Sequence, residues 1–219
     1  MISQKLSEIQ KSIPANICLV AVSKTKPIAD LFEAYKAGQR HFGENKVQEM
    51  TEKWEVLPKD IQWHLIGHLQ TNKVKYIAPY VHLIHSVDSL KLLTEINKQG
   101  AKYQRVISVL LQFYIAKEET KFGLNWEEAT QLLNSEEYKY FKNIQVVGVM
   151  GMASFTDDES IVKAEFSQLK ELFLKLKNTF FHNDDLFKEI SMGMSGDYQL
   201  AIEQGSTMVR VGSSIFGGR

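Results

Sequence analysis

The feature that most constrains this chain is a regular alternation of short apolar runs with longer amphipathic stretches. The richest runs, ICLVAV, RVISVLL and QVVGVM, are continuously apolar instead of alternating in polarity. Continuous apolar runs are typical of parallel strands that are covered on both faces. Eight runs predict strands over Ile17–Ser23, Arg40–Gly43, Gln62–Ile66, Leu83–Ser86, Arg105–Leu111, Gln145–Met150, Glu189–Met192 and Met208–Gly212.

Helical patterns lie between these strands. They predict helices over Ile28–Ala37, Asp88–Lys98, Val162–Phe180 and from Ser195 to Glu203. Asp88 and Ser195 are suitable N-caps because their side-chain oxygens can accept from free backbone N–H groups. Glycines at 38, 100 and 205 are placed to end the corresponding helices.

The alternation of strand and helix continues to the end of the chain and predicts a parallel α/β fold. Eight units favour a closed (β/α)8 barrel, the TIM barrel, over an open doubly wound sheet. The dinucleotide fingerprint GxGxxG is absent, which also disfavours the open sheet. A barrel of this kind needs roughly 200–250 residues, so we expect residues 1–219 to form a single domain.

Composition excludes several classes of function. The 26 basic and 26 acidic side chains cancel, which disfavours a general nucleic-acid binder. No apolar run approaches the about 20 residues of a membrane span. The polar N-terminal segment MISQKLSEIQKSI lacks the apolar core of a signal peptide and predicts an extra amphipathic helix. With Cys18 as the only cysteine, no intrachain disulfide can form, as in a reducing cytosol. We therefore expect a cytoplasmic protein.

Lys24 directly follows the first predicted strand. Active residues of such barrels gather at the carboxyl ends of the strands, and a lysine amine there can attack an aldehyde. Two alternatives stay open at this point. Lys24 is equally compatible with a solvated lysine in a loop, and Lys26 competes with it from two residues further on.

Small residues follow the seventh and eighth predicted strands. Ser195 and Gly196 stand in the first loop, and Gly212 and Ser213 in the second. Barrels often bind phosphate with these two loops, because small residues let backbone N–H groups approach the anion. Ordinary turn chemistry is the alternative for each loop taken alone.

His64 and His68 are spaced like two metal ligands on a helix. Gly67 lies between them and the segment is predicted to run from a strand into a loop, without an evident third ligand. The sequence therefore predicts no metal site.

Almost the whole chain resembles the pyridoxal-phosphate homeostasis proteins, also called the proline-synthetase co-transcribed family, whose fold is that of the N-terminal domain of alanine racemase. The matching segments are AVSKTKP (21–27), AGQRHFGENKVQE (37–49), WHLIGHLQTNK (63–73), HSVDS (85–89), KFG (121–123), GVMGMA (148–153) and SMGMSGDYQLAIEQGSTMVRVGSSIFG (191–217). The resemblance implies that pyridoxal 5'-phosphate (PLP) is the cofactor and that Lys24 holds it as a Schiff base.

The same resemblance implies roles for six further residues. Asn45 lies beside the cofactor ring, and Arg210 faces its pyridine nitrogen. The phosphate is held by Ser195, Gly196, Gly212 and Ser213. An arginine can only donate hydrogen bonds, so the ring nitrogen that it meets stays unprotonated and the ring is a poorer electron sink. A salt bridge inside the barrel mouth is the alternative role for Arg210.

The chain departs from the family pattern after the fifth strand. It carries Gln112-Phe113-Tyr114-Ile115-Ala116 where a small polar stretch is usual. We therefore assign no role to Lys121, which follows this stretch.

The resemblance implies a protein that binds the cofactor and takes part in its intracellular supply, with little catalysis of its own. An amino acid racemase is the alternative, and a barrel enzyme for another phosphorylated metabolite is a third. Racemases of this fold continue into a β domain that supplies a second acid-base group. The chain ends at Arg219, so we expect no such domain and an open cofactor face. We also expect a monomer that makes transient contacts with PLP-dependent apo-enzymes.

Overall fold

Eight parallel strands form a closed barrel in the computed structural model, which describes residues 1–116 and 122–218. Each strand pairs with the next in sequence, and the last pairs with the first. The strands are β1 (Cys18–Val22), β2 (His41–Glu44), β3 (Gln62–Leu65), β4 (Leu83–Val87), β5 (Ile107–Gln112), β6 (Ile144–Met150), β7 (Glu189–Ser191) and β8 (Met208–Val211). The predicted barrel is confirmed, and every predicted strand matches an observed one to within two residues at either end.

Helices pack around the outside of the barrel. They are α1 (Ile2–Ser12), α2 (Ile28–Lys36), α3 (Val47–Val56), α4 (Val74–Ile77), α5 (Leu90–Lys102), α6 (Trp126–Asn134), α7 (Glu136–Lys139), α8 (Glu159–Phe180), α9 (Tyr198–Glu203) and α10 (Ser213–Phe216). The amphipathic N-terminal segment forms α1, as predicted, and buries Leu6 and Ile9. Among the described residues, no helix combines the length and the apolar character that a membrane crossing requires.

The apolar core has two parts. The larger part lies between the strands and the helices, and Phe42, Trp63 and Phe166 are fully buried there. The smaller part consists of five buried side chains from β1, β4, β5, β6 and β8, which are Val20, Leu83, Leu110, Met150 and Met208. Such a filled interior makes a barrel of this kind a packed core and leaves function to its ends.

Two predicted helix boundaries are wrong. The helix predicted over Asp88–Lys98 begins at Leu90, because Ser89 is the residue whose side chain accepts from a backbone N–H of the first turn. It also continues through Gly100 instead of ending there. A Cβ at Gly100 would lie 2.6 Å from the carbonyl oxygen of Asn143. The glycine therefore serves close packing, and α5 ends at Lys102.

Two more predicted helices begin elsewhere. The helix predicted from Val162 starts at Glu159, where Asp158 caps it by accepting from the N–H of Ser160. The helix predicted from Ser195 starts at Tyr198, and Ser195 is not its cap. The Ser195 side chain is used instead to join two loops, as described below.

Gly148 lies where the β5–β6 pairing changes register. Its φ is +157°, and a Cβ there would be 1.8 Å from the carbonyl oxygen of Glu189 in β7. A backbone oxygen cannot move aside as the end of a flexible side chain can. Any side chain at this position therefore pushes β6 and β7 apart.

We expect Gly148→Ala to lower the free energy of unfolding by about 1–3 kcal/mol, as overpacked cores do. Urea denaturation measures this difference. Gly218→Ala is the matched control because no atom lies within 4 Å of its added Cβ, and it should change the value by less than about 0.5 kcal/mol. Equal effects of the two substitutions would contradict this account of the register change.

Candidate functional site

A cavity of about 460 Å³ opens at the carboxyl ends of the strands. It is bounded by the residues after β1, β2, β3, β6, β7 and β8, together with one residue each of β1 and β8. All seven residues that the sequence singles out line it, namely Lys24, Asn45, Ser195, Gly196, Arg210, Gly212 and Ser213. The structure thus brings the predicted set together in one place.

Lys24 and Lys26 both reach this cavity, but only one of them is engaged. The ammonium of Lys26 donates to the carbonyl oxygens of Gly217 and Gly218, at 3.0 and 2.8 Å. Lys24 is half-buried, and its amine has no hydrogen-bond or ion-pair partner within residues 1–116 and 122–218. Of the two lysines, Lys24 is therefore the one whose amine is available to a ligand.

The backbone on both sides of Lys24 is held by a buried ion cluster below the loop. Lys53 donates to the carbonyl oxygen of Ser23 at 2.8 Å and pairs with Glu44 and Glu49, each at 2.7 Å. Glu49 in turn accepts from the N–H of Thr25 at 2.6 Å. Because Thr25 has a φ of +64°, a conformation that few non-glycine residues adopt, this bond stabilises the turn that carries Lys24.

Glu44 is fully buried within this cluster. Burial raises the pKa of its carboxyl group, although Lys53 and the Ser23 hydroxyl, which donates at 2.6 Å, favour the charged form. No motif in the sequence points to a role for Glu44, Glu49 or Lys53. The four-residue spacing of Glu49 and Lys53 on one helix is the only sequence signal for the pair.

Arg210 lies at the inner end of the cavity, with 4% of its surface exposed. Its guanidinium donates to the hydroxyl of Ser191 at 2.6 Å and to the carbonyl oxygen of Gly151 at 3.1 Å. No carboxylate lies within 4.0 Å of it in the described parts of the chain. Burial lowers its pKa to about 10, and the more distant Asp197 only partly offsets that effect. The salt bridge considered as its alternative role is thus not formed.

The two loops predicted to bind phosphate are joined by a hydrogen bond. The hydroxyl of Ser195 accepts from the N–H of Gly212 at 3.0 Å. A Cβ at Gly212 would lie 3.0 Å from the carbonyl oxygen of Val22, so a side chain there would be tightly crowded. At Gly196, by contrast, no atom lies within 4 Å of an added Cβ. The space beside Gly196 is therefore open.

A line of hydrogen-bonded side chains runs from Arg210 through the inside of the barrel to its opposite end. Its successive members are Ser191, His85, His64 and His41, and the three contacts that link them are each 2.9 Å. Burial lowers the pKa of His64 and His85 well below the ordinary value and that of His41 to about 4. All three imidazoles are therefore neutral near pH 7. His68 lies apart from this line, half-exposed beside Asp88.

The class of the protein follows from its closed barrel and from Lys24 at the carboxyl end of β1. The pattern described as alanine racemase, N-terminal domain matches residues 1–219. The chain belongs to this family and, within it, to the pyridoxal phosphate homeostasis proteins.

Three comparisons illustrate this membership. A pyridoxal phosphate homeostasis protein of Schizosaccharomyces pombe is 40% identical over 97% of this chain and 89% of its own length. A protein of the same description from Pasteurella multocida is 36% identical over 100% of this chain and 97% of its own length. The structure of PipY from Synechococcus elongatus with PLP bound is similar at a TM-score of 0.86 and 34% identity, covering 99% of this chain and 100% of that one.

We expect Lys53→Met to lower the free energy of unfolding by about 3–5 kcal/mol, since it leaves buried Glu44 without its cation. Urea denaturation followed by circular dichroism measures the change. Lys163→Met is the control. Its exposed ammonium is 3.5 Å from Glu159 and 3.7 Å from Glu203, a type of pair worth at most about 1 kcal/mol. A similar loss of unfolding free energy in both variants would contradict the stabilising role of the buried cluster.

Proposed function

We propose that the cavity binds pyridoxal 5'-phosphate and that the protein takes part in the homeostasis of this cofactor. The cofactor supplies an aldehyde carbon that bonds to an amine and a ring that withdraws electrons. Lys24 is the proposed point of covalent attachment, because its amine is at the cavity and is not engaged. The relatives named for pyridoxal phosphate homeostasis, and PipY with PLP bound, support the proposal.

The observation that carries the proposal is the unpaired, buried cation of Arg210. Isolating a charge from water is costly unless the site supplies partners. A guanidinium has five N–H groups. Within the described residues, Arg210 donates hydrogen bonds to Ser191 and Gly151. An acceptor in the cavity fits the remaining donors. The unprotonated nitrogen of a pyridine ring is such an acceptor, with Asn45 beside the ring.

The opposite end of the same ligand would be anionic and would lie between the two glycine-containing loops. The N–H of Gly212, which donates to the Ser195 hydroxyl oxygen, and the O–H of that hydroxyl would both be available as donors to a phosphate. Ser213 begins α10, and the first N–H groups of a helix have no partner within it. Gly196 allows close approach from the other loop, so four small residues can surround the anion.

The residues that line the cavity favour a role in PLP homeostasis over racemisation. Exchanging the hydrogen on both faces of an amino acid needs an acid-base group on each face. Among the described residues, Lys24, Lys26, Asp197 and Arg210 are the ionisable ones that line the cavity, and no His, Tyr or Cys does. Lys26 is bound to carbonyl oxygens and Asp197 belongs to the same loop region as the phosphate site. A second base opposite Lys24 is therefore missing from the described lining.

The remaining features of the role follow from the same proposal. We place the protein in the cytoplasm, where PLP-dependent apo-enzymes are made, and we propose that it meets them transiently. Residues 1–219 would act as one domain and as a monomer, with the mouth of the barrel open to those partners. The neutral balance of charges supports contacts with proteins over contacts with nucleic acids.

We expect PLP added to the purified protein to give the near-visible absorption band of a lysine-bound cofactor, and Lys24→Ala to abolish it. Lys26→Ala is the matched control from the same loop and should keep the band, because its ammonium already serves two carbonyl oxygens. Loss of the band only in the Lys26 variant would move the attachment point. No band in the wild type, with retained phosphate binding, would favour a barrel enzyme for another phosphorylated metabolite.

We expect no racemisation of L-alanine above the rate of free PLP, because one face of the cofactor lacks an acid-base group. Incubation with the PLP-loaded protein in deuterated water, followed by chiral chromatography, measures turnover and hydrogen exchange together. Free PLP at the same concentration is the blank. Racemisation by the wild type that disappears in Lys24→Ala would establish the racemase alternative instead.

A further inference from the structure

The end of the barrel opposite the cavity carries three histidines that meet at one point. His41 begins β2, His64 is the third residue of β3, and His82 directly precedes β4. Their ring centroids are 5.2, 5.3 and 5.7 Å apart in the three pairs. One nitrogen from each ring lies within 4.8 Å of the others. Three neighbouring elements of the barrel thus contribute one imidazole each.

These separations are close to those of a metal site. With Zn–N bonds of about 2.0–2.1 Å, two nitrogens of a tetrahedral site are roughly 3.3 Å apart. His41 Nδ1 and His64 Nε2 are 2.9 Å apart, so they need to separate by only a few tenths of an ångström. His82 is exposed, and its side chain can close the remaining gap by rotating towards the pair.

The hydrogen bonds behind His64 are compatible with the tautomer that a metal needs. If His64 Nε2 holds a metal, its Nδ1 carries the proton and donates to His85 Nε2 at 2.9 Å. His85 then donates from Nδ1 to the hydroxyl oxygen of Ser191, also at 2.9 Å. Ligating histidines characteristically have such a fixed second partner, which orients the ring.

Arg105 is a charged neighbour of His82. The Arg105 guanidinium is turned to the carbonyl oxygens of Ala78 and Val81, at 2.5 and 2.7 Å. Its donors are therefore directed at the backbone and not at the histidine nitrogens.

We propose that His41, His64 and His82 form a binding site for a first-row divalent transition metal ion of the Zn²⁺ type. Imidazole ligands suit Zn²⁺, Cu²⁺ and Ni²⁺ and disfavour Ca²⁺ and Mg²⁺. The exposed side of the site leaves the fourth position to water. On binding, the proton of His41 moves from Nδ1 to Nε2, so that both inner nitrogens face the ion. The site lies at the opposite end of the barrel from the proposed cofactor site and does not depend on it.

The test titrates Zn²⁺ into the metal-free, untagged full chain by calorimetry. We expect one equivalent to bind to the wild type. His82→Ala removes an exposed ligand without disturbing buried His64, and it should weaken binding by about 100-fold or more, since second-shell changes alone cost roughly 10–100-fold. His182→Ala is the control, because His182 is exposed and outside the triad, and it should bind like the wild type. Circular dichroism verifies that each variant is folded.

Co²⁺ gives a second readout that reports geometry. We expect the wild type and His182→Ala to show the intense visible bands of tetrahedral cobalt, and His82→Ala and His41→Asn to lose them. The inference is overturned if Zn²⁺ does not bind, or if His82→Ala binds it as tightly as the wild type. It is equally overturned if His182→Ala loses as much affinity as His82→Ala, which would indicate scattered binding to surface histidines.

Discussion

The pairing of β8 with β1 is the constraint on which the rest of this structure depends. In that pairing Val20 stands opposite Arg210, so the two ends of the sequence become neighbours. Lys24 follows Val20 by four residues, and Gly212 follows Arg210 by two. Closing the barrel therefore assembles a lysine, a buried cation and two glycine-containing loops around one cavity. An open sheet of the same strands would leave them at opposite edges.

The interior of the barrel is polar along one line and apolar elsewhere. Val20, Leu83, Leu110, Met150 and Met208 fill most of it, while three histidines, one serine and Arg210 form a continuous hydrogen-bonded line. Buried polar groups are tolerated when they are hydrogen-bonded, and here each imidazole is hydrogen-bonded to the next member of the line. The line joins the cavity to the opposite end of the barrel.

Much of this arrangement was predictable from the sequence, because it depends on short-range patterns. The apolar runs located the strands, and the positions of Lys24, Ser195 and Gly212 after them located the cavity. The cap at Ser89 and the glycine at 100 were misassigned, since a cap and a close backbone contact leave the same residue types in a sequence. The capping role of Ser195 was also misassigned, because its hydrogen-bond partner, Gly212, is distant in the chain.

Other features could not be predicted from local patterns at all. The cluster of Glu44, Glu49 and Lys53 depends on how α3 lies against β2 and the loop after β1, which only the closed barrel determines. The histidine triad joins three segments whose spacing resembles no metal motif. Both features are tertiary, and their residues look like ordinary surface charges or core histidines when they are read one at a time.

The central claim is that Lys24 is the residue that holds the cofactor. Borohydride reduction of the PLP-loaded protein, followed by proteolysis and mass spectrometry, tests it most directly, because reduction makes the bond to the amine permanent. We expect one modified peptide, with the added mass on Lys24 and none on Lys26. Modification spread over several surface lysines, or confined to a lysine outside the cavity, would contradict it.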